Sequence, residues 1–160
     1  MLLTVLGLCR YSLLFNLHTG TVQVSLQTGK PCFFGISLAD GYNLPISISS
    51  KPKNASCSID GCSADINSDC PEKLRVLDQS GDVVACKSAC LGFQKDEYCC
   101  TKSCGTPETC KPTKYSKMFK KACPSYISYA LETPLPLKVC NAKEYVVTFC
   151  PSKPSSHASI

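Results

Sequence analysis

Fourteen cysteines in a chain of 160 residues, about 9% of the sequence, constrain the fold more than any other feature, because that density belongs to disulfide scaffolds. They stand at positions 9, 32, 57, 62, 70, 86, 90, 99, 100, 104, 110, 123, 140 and 150. No two have the C-x-x-C spacing of zinc ribbons or thioredoxin-like redox sites. The only histidines, His18 and His157, lie near the termini, so neither a metal site nor any other cofactor is expected. Structural disulfides remain, and these persist in an oxidising compartment rather than under cytosolic glutathione. Cys99 and Cys100 are adjacent and are expected to bond to two different partners, since vicinal geometry is poor for a bridge.

The length suits one domain with a moderate core, with or without a small satellite. Eleven prolines and nine glycines break the chain often, and charged residues make up only 18% of it, which excludes coiled coils, disordered tails and long helical bundles. A net charge of +5 suits polar or anionic extracellular surfaces but falls short of the dense basic stripe that nucleic acid requires. Met1 to Leu8 is apolar, yet no basic residue precedes it, Cys9-Arg10 interrupts it, and no A-x-A cleavage site follows. No apolar run reaches the roughly 20 residues of a membrane span. Residues 1–19 therefore read as a poor signal peptide or a mis-started N-terminus.

Thr21 to Leu26 alternates polar and apolar residues, as a half-buried strand does. Phe33 to Leu38 is a second strand candidate, and Asn43 to Ile48 a third, placed at an edge or strand start by Pro45. Asp40-Gly41 between them suits a tight turn. Lys51 to Cys62 is polar and loop-like, and its Asn54-Ala55-Ser56 is a glycosylation sequon if the chain is exported. From 63 to 122 cysteines recur among short helical pieces. Val84, Cys86, Ser88, Cys90 and Leu91 fit one short helix stopped near Gly92. Tyr115, Met118, Phe119 and Ala122 recur at helical spacing, with Lys114, Lys117, Lys120 and Lys121 largely opposite, which reads as a solvated face over a packed stripe. Tyr145, Val147 and Phe149 then alternate with Val146 and Thr148 in a closing strand, and 152–160 is a Pro/Ser tail. The order is strands, a cysteine-rich insertion, then strands: a mainly β domain.

Several segments, taken in order, carry a resemblance. They are Leu38-Ala39-Asp40-Gly41-Tyr42-Asn43-Leu44-Pro45, the stretch from Gly61 through Cys62 to Cys70-Pro71, and Val84-Ala85-Cys86-Lys87-Ser88-Ala89-Cys90. Glu97-Tyr98-Cys99-Cys100, Gly105 to Cys110 and Tyr145 to Pro151 complete the set. Together they resemble the plant thaumatin-like proteins, the pathogenesis-related family that includes osmotin, over residues 20–151. The resemblance implies a partial β-sandwich with an inserted disulfide-rich helical subdomain at 63–122, truncated at its N-terminus relative to full-length members. It implies five bridges: Cys57–Cys140, Cys62–Cys123, Cys70–Cys86, Cys90–Cys99 and Cys100–Cys110. It leaves Cys32 and Cys104 without family counterparts, with Cys104 a competitor of Cys110 for Cys100, and Cys150 without its usual partner unless Cys9 substitutes.

The family's functional feature is an acidic cleft between sandwich and subdomain, lined by an arginine and four acidic residues and associated with β-glucan. Carried over, the four acidic positions fall at Gln23, Gly35, Asp40 and Glu132, so two carboxylates are replaced. Glycoside hydrolysis needs two carboxyl groups a defined distance apart, so the expectation is a binder and not an enzyme. The resemblance implies an antifungal defence protein, secreted to the apoplast or vacuole if its native N-terminus carries a signal. Its expected partner is fungal wall β-glucan or a membrane surface, not nucleic acid, and it is expected to be a monomer. The alternatives are a weak endo-β-1,3-glucanase, an inhibitor of microbial hydrolases, and an inactive truncated product.

Overall fold

The computed structural model describes residues 2–7, 21–25 and 32–151. Cys9 and the Pro/Ser tail lie outside the described residues. The strands are β1 (Leu2–Gly7), β2 (Thr21–Ser25), β3 (Cys32–Ser37), β4 (Gly41–Tyr42), β5 (Ile46–Lys51), β6 (Arg75–Leu77), β7 (Val83–Lys87), β8 (Lys138–Cys140) and β9 (Glu144–Phe149). They form three three-stranded sheets, ordered β1-β9-β5, β2-β3-β8 and β4-β7-β6. Strand β1, inside the segment that reads as a poor signal peptide or a mis-started N-terminus, runs parallel to β9 with Leu2 opposite Glu144 and Gly7 opposite Phe149.

Alternation explains how the first two sheets meet. Ile46 and Ile48 of β5, Tyr145 and Val147 of β9, and Phe34 and Ile36 of β3 are all buried and share one core. Strand side chains alternate between faces, so these residues are the inner faces of a sandwich. The rings of Phe34 and Tyr145 lie 5.4 Å apart across it. The outer face of β3 is less covered: Phe33 and its cross-strand neighbour Val139 are 47% and 52% exposed.

The third sheet opens the inserted subdomain, whose helices are α1 (Ala89–Phe93), α2 (Asp96–Cys99) and α3 (Lys114–Ala122). The single helix expected over Val84 to Leu91 is divided. Val83–Lys87 pairs with both β4 and β6, and the helix starts only after Ser88, whose hydroxyl accepts from the Leu91 N–H. β-branched Val83 and Val84 favour the ladder, while Ser88 is a good N-cap. Gly92 lies inside this helix rather than ending it; a Cβ there would sit 2.3 Å from Leu74 Cδ2, so a larger residue obliges that leucine to shift. Helix α3 appears where its apolar spacing places it, begun by a capping box between Thr113 and Ser116.

Five disulfides lie wholly among the described residues: Cys57–Cys140, Cys62–Cys123, Cys70–Cys86, Cys90–Cys99 and Cys100–Cys110. These are the pairings that the resemblance implies. Cys104 is a free thiol, and Cys150 is a half-cystine whose partner is not among these bridges. Among the described residues no helix is long and apolar enough to cross a membrane.

Two buried tyrosines join the layers. Tyr126 donates its hydroxyl hydrogen to the Ile46 carbonyl and accepts from the Ile46 N–H at 3.3 Å. Burial pushes Tyr126 up to about 12, and burial, then the Asp65 carboxylate, raises Tyr42 as well. Both stay protonated in the fold after their unfolded counterparts ionise near pH 10. Their contribution is therefore complete below about pH 10 and is lost as pH rises through the folded values. Denaturant unfolding at pH 7, 9 and 11 is expected to show a drop only at pH 11, of roughly 2–3 kcal/mol. Tyr126→Phe should blunt that drop, and an unchanged midpoint at pH 11 contradicts the assignment.

Candidate functional site

The turn after β3 carries Asp40 to the junction between sandwich and subdomain. The Gly41 N–H donates to the Leu38 carbonyl at 3.0 Å, and the Ser88 N–H donates to the Asp40 carbonyl at 3.2 Å. The segment from 127 runs beside this turn, tied by Leu38 N–H to the Ile127 carbonyl at 2.7 Å and Ile127 N–H to the Ile36 carbonyl at 2.8 Å. Across from both stand α2 and α3. Between them lies a cleft of about 160 Å³.

One wall is Asp40 with Ser128, Tyr129 and Ala130; the other is Glu97 and Tyr98 of α2 with Tyr115 and Ser116 of α3. Cys90–Cys99 and Cys100–Cys110 also border it, so covalent links hold the subdomain wall. Phe93, Tyr98 and Tyr115 stack on one another at ring distances of 5.2 to 5.7 Å, which limits their rotamers. Partial desolvation, then the Glu97 carboxylate, raises Tyr98; desolvation, then Glu132, raises Tyr129. Both hydroxyls therefore remain donors at neutral pH. Ring faces with phenolic donors and two carboxylate acceptors form a surface suited to a neutral polyhydroxylated ligand.

Asp40 lines the cleft. Gln23 and Gly35 sit directly opposite each other in the β2–β3 register. Gly35 is buried, and a Cβ added there would meet Leu137 Cδ2 at 2.6 Å. The space of a side chain at 35 is already occupied by leucine. Glu132 lies behind the wall: its Oε2 accepts from the Ser128 N–H at 2.6 Å and the Ser128 hydroxyl at 2.9 Å, and its Oε1 pairs with Lys120. That side chain is 10% exposed. Glu132 thus anchors the 128–130 wall to α3, a positioning role. Asn54 is exposed, and its Oδ1 accepts from the Ser56 N–H and hydroxyl at the start of a 3₁₀ turn. Sequence reasoning missed Glu97, Tyr98, Tyr115 and Tyr129 as wall residues. The available signal was the Glu97-Tyr98 pair abutting two half-cystines.

Comparison with known proteins agrees with this architecture. The chain matches the thaumatin family over residues 9–151. It is 45% identical over 136 residues to the pathogenesis-related thaumatin-like protein 3.5 of Cryptomeria japonica, covering 83% of this chain and 56% of that protein. It is 49% identical over 120 residues to a thaumatin-like protein of Arabidopsis thaliana, covering 74% and 49%. To pathogenesis-related protein 5 of Arabidopsis thaliana it is 45% identical over 123 residues, covering 77% and 51%. The chain spans about half the length of the curated relatives it matches.

Proposed function

Because this chain belongs to the thaumatin family, we propose that it is a secreted defence protein that binds β-glucan of the fungal wall in the cleft between sandwich and subdomain, without hydrolysing it. The observation that carries this reading is the composition of the cleft: Tyr98, Tyr115 and Tyr129 beside the acceptors Asp40 and Glu97. Aromatic faces stack on the apolar faces of sugar rings, and carboxylates accept from their hydroxyls. Five disulfides among the described residues and an exposed sequon suit export to an oxidising compartment.

Binding rather than hydrolysis is favoured because two of the four expected acidic positions are Gln23 and Gly35, and because Glu132 is engaged by Lys120 and Ser128. A retaining or inverting glycosidase needs a second carboxyl group facing the first across the scissile bond. Calorimetric titration with a soluble β-1,3-glucan tests the reading. Tyr98→Ala is expected to weaken binding about tenfold or more, the scale of losing one aromatic stacking contact, and Asp40→Asn to weaken it less. Unaltered affinity in both variants rejects the cleft, and release of reducing sugar abolished by Asp40→Asn makes the protein an enzyme.

A further inference from the structure

Helix α3 has a second face that the cleft does not use. Lys114, Lys117 and Lys121 are exposed and stand three and four residues apart, so they form a single stripe, with exposed Lys111 just before it. Lys120, near the same end, is taken by Glu132. Among the described residues the ion pairs are Lys51–Glu144, Lys102–Asp96 and Lys120–Glu132, so none of the four stripe lysines has one. Lys114 Nζ lies 5.1 Å from the centre of the Tyr115 ring. Like charges at these spacings oppose helix formation. Lys121, in the last turn, suits the helix dipole, but the stripe as a whole has no acidic partner in an ion pair among the described residues.

We propose that this stripe docks a linear polysaccharide carrying a carboxylate on successive sugar residues. A rise of 1.5 Å per residue puts the attachment points of neighbouring lysines about 4.5 and 6 Å apart along the axis, a line of charges suited to a polymer with one acid group per sugar. A bilayer is a poorer match, because a helix lying on a membrane sinks its apolar face, and here Phe119 on that face is 2% exposed in the protein core. Single-stranded nucleic acid calls for aromatic platforms interleaved with the charges, and the exposed stripe offers only lysines. The preference for a glycan rests on the reading of the cleft. Tyr115 and Ser116 of the same helix and Lys111 line that cleft, so the stripe borders the surface read as a sugar site.

The test uses the full chain with polygalacturonate, its fully methyl-esterified form, a neutral β-1,3-glucan, and vesicles of phosphatidylserine and phosphatidylcholine. Polygalacturonate is expected to bind, to lose affinity as salt is raised, and to exceed its methyl ester. Lys114→Gln with Lys117→Gln and Lys121→Gln should weaken it about tenfold, leaving the thermal midpoint and neutral-glucan binding in place. Equal binding by the triple variant, equal binding of the methyl ester, or binding of vesicles alone overturns the proposal. Loss of neutral-glucan affinity in the parent chain, with lysine-dependent polygalacturonate binding kept, rejects the cleft reading and upholds the stripe.

Discussion

Replacing both Cys62 and Cys123 by alanine lowers the unfolding free energy by about 4 kcal/mol, as expected from loop entropy for a bridge that closes a long segment. The two cysteines are separated by 61 positions, and the loop between them contains the whole inserted subdomain. Cys123 is 1% exposed at the end of α3, where its N–H donates to the Phe119 carbonyl at 2.9 Å. On the other side, the Ser63 N–H and hydroxyl donate to the Ala122 carbonyl at 2.8 and 3.0 Å. Those hydrogen bonds remain in the variant, so the effect falls chiefly on the unfolded chain, which regains the part of that loop's freedom that Cys57–Cys140 around it and the three bridges within it do not restrain, making the loop-entropy figure an upper value. Cys90–Cys99 spans only 9 positions, and its removal should cost less, since the entropy grows with the logarithm of loop length. Guanidinium titrations of the two variants decide the matter. A larger loss from the short bridge than from the long one contradicts the account.

Gly41→Ala is expected to cost about 3 kcal/mol or more, and to take glucan binding with it. Gly41 has a φ of 135°, a region that side-chain-bearing residues rarely adopt. A Cβ there would lie 2.5 Å from the Cys86 carbonyl oxygen and 3.1 Å from both Lys87 Cα and the Ser88 nitrogen. All three are backbone atoms, so no side chain can move aside. Relief requires β4 to leave β7, where Gly41 faces Lys87 and Tyr42 faces Cys86. That pairing is the seam between sandwich and subdomain, and Asp40 precedes it directly. Thermal unfolding gives the stability, and glucan titration gives the site. A variant within about 0.5 kcal/mol of the parent, the range of an ordinary surface change, refutes the seam argument.

Strands were readable wherever polar and apolar residues, or two kinds of side chain, alternate along the sequence. Thr21–Ser25 and Glu144–Phe149 alternate clearly and pair as strands. The third strand starts at Ile46 and runs to Lys51, later than Asn43, because Gly41 and Tyr42 pair instead with β7. The segment Val84 to Leu91 misled because i, i+4 spacing of Cys86 and Cys90 fits a helix as well as a strand leading into one. Sheet partners on both sides of β7 decided it, and those lie far away in sequence. Asp40, which lines the cleft, was legible only through the resemblance of the motif around it, since its Asp-Gly pair by itself pointed to a turn. The role of Glu132 was not, because nothing local indicates that Lys120 and Ser128 close around its carboxylate.

A disulfide framework, a mainly β order and the apolar stripe of α3 follow from residue types and their spacing, because cysteine density and periodicity are local properties of a chain. Which groups share the cleft is a different matter. Asp40, Glu97 and Tyr129 come from three separate stretches, brought together by the β4–β7 seam, by two disulfides beside the wall and by the anchoring of 128–130 on α3. Likewise, the leucine that fills the place of a side chain at Gly35 comes from the far side of the sandwich sequence, at 137. Proximity across such distances is settled by packing and covalent closure, and only the folded chain contains it.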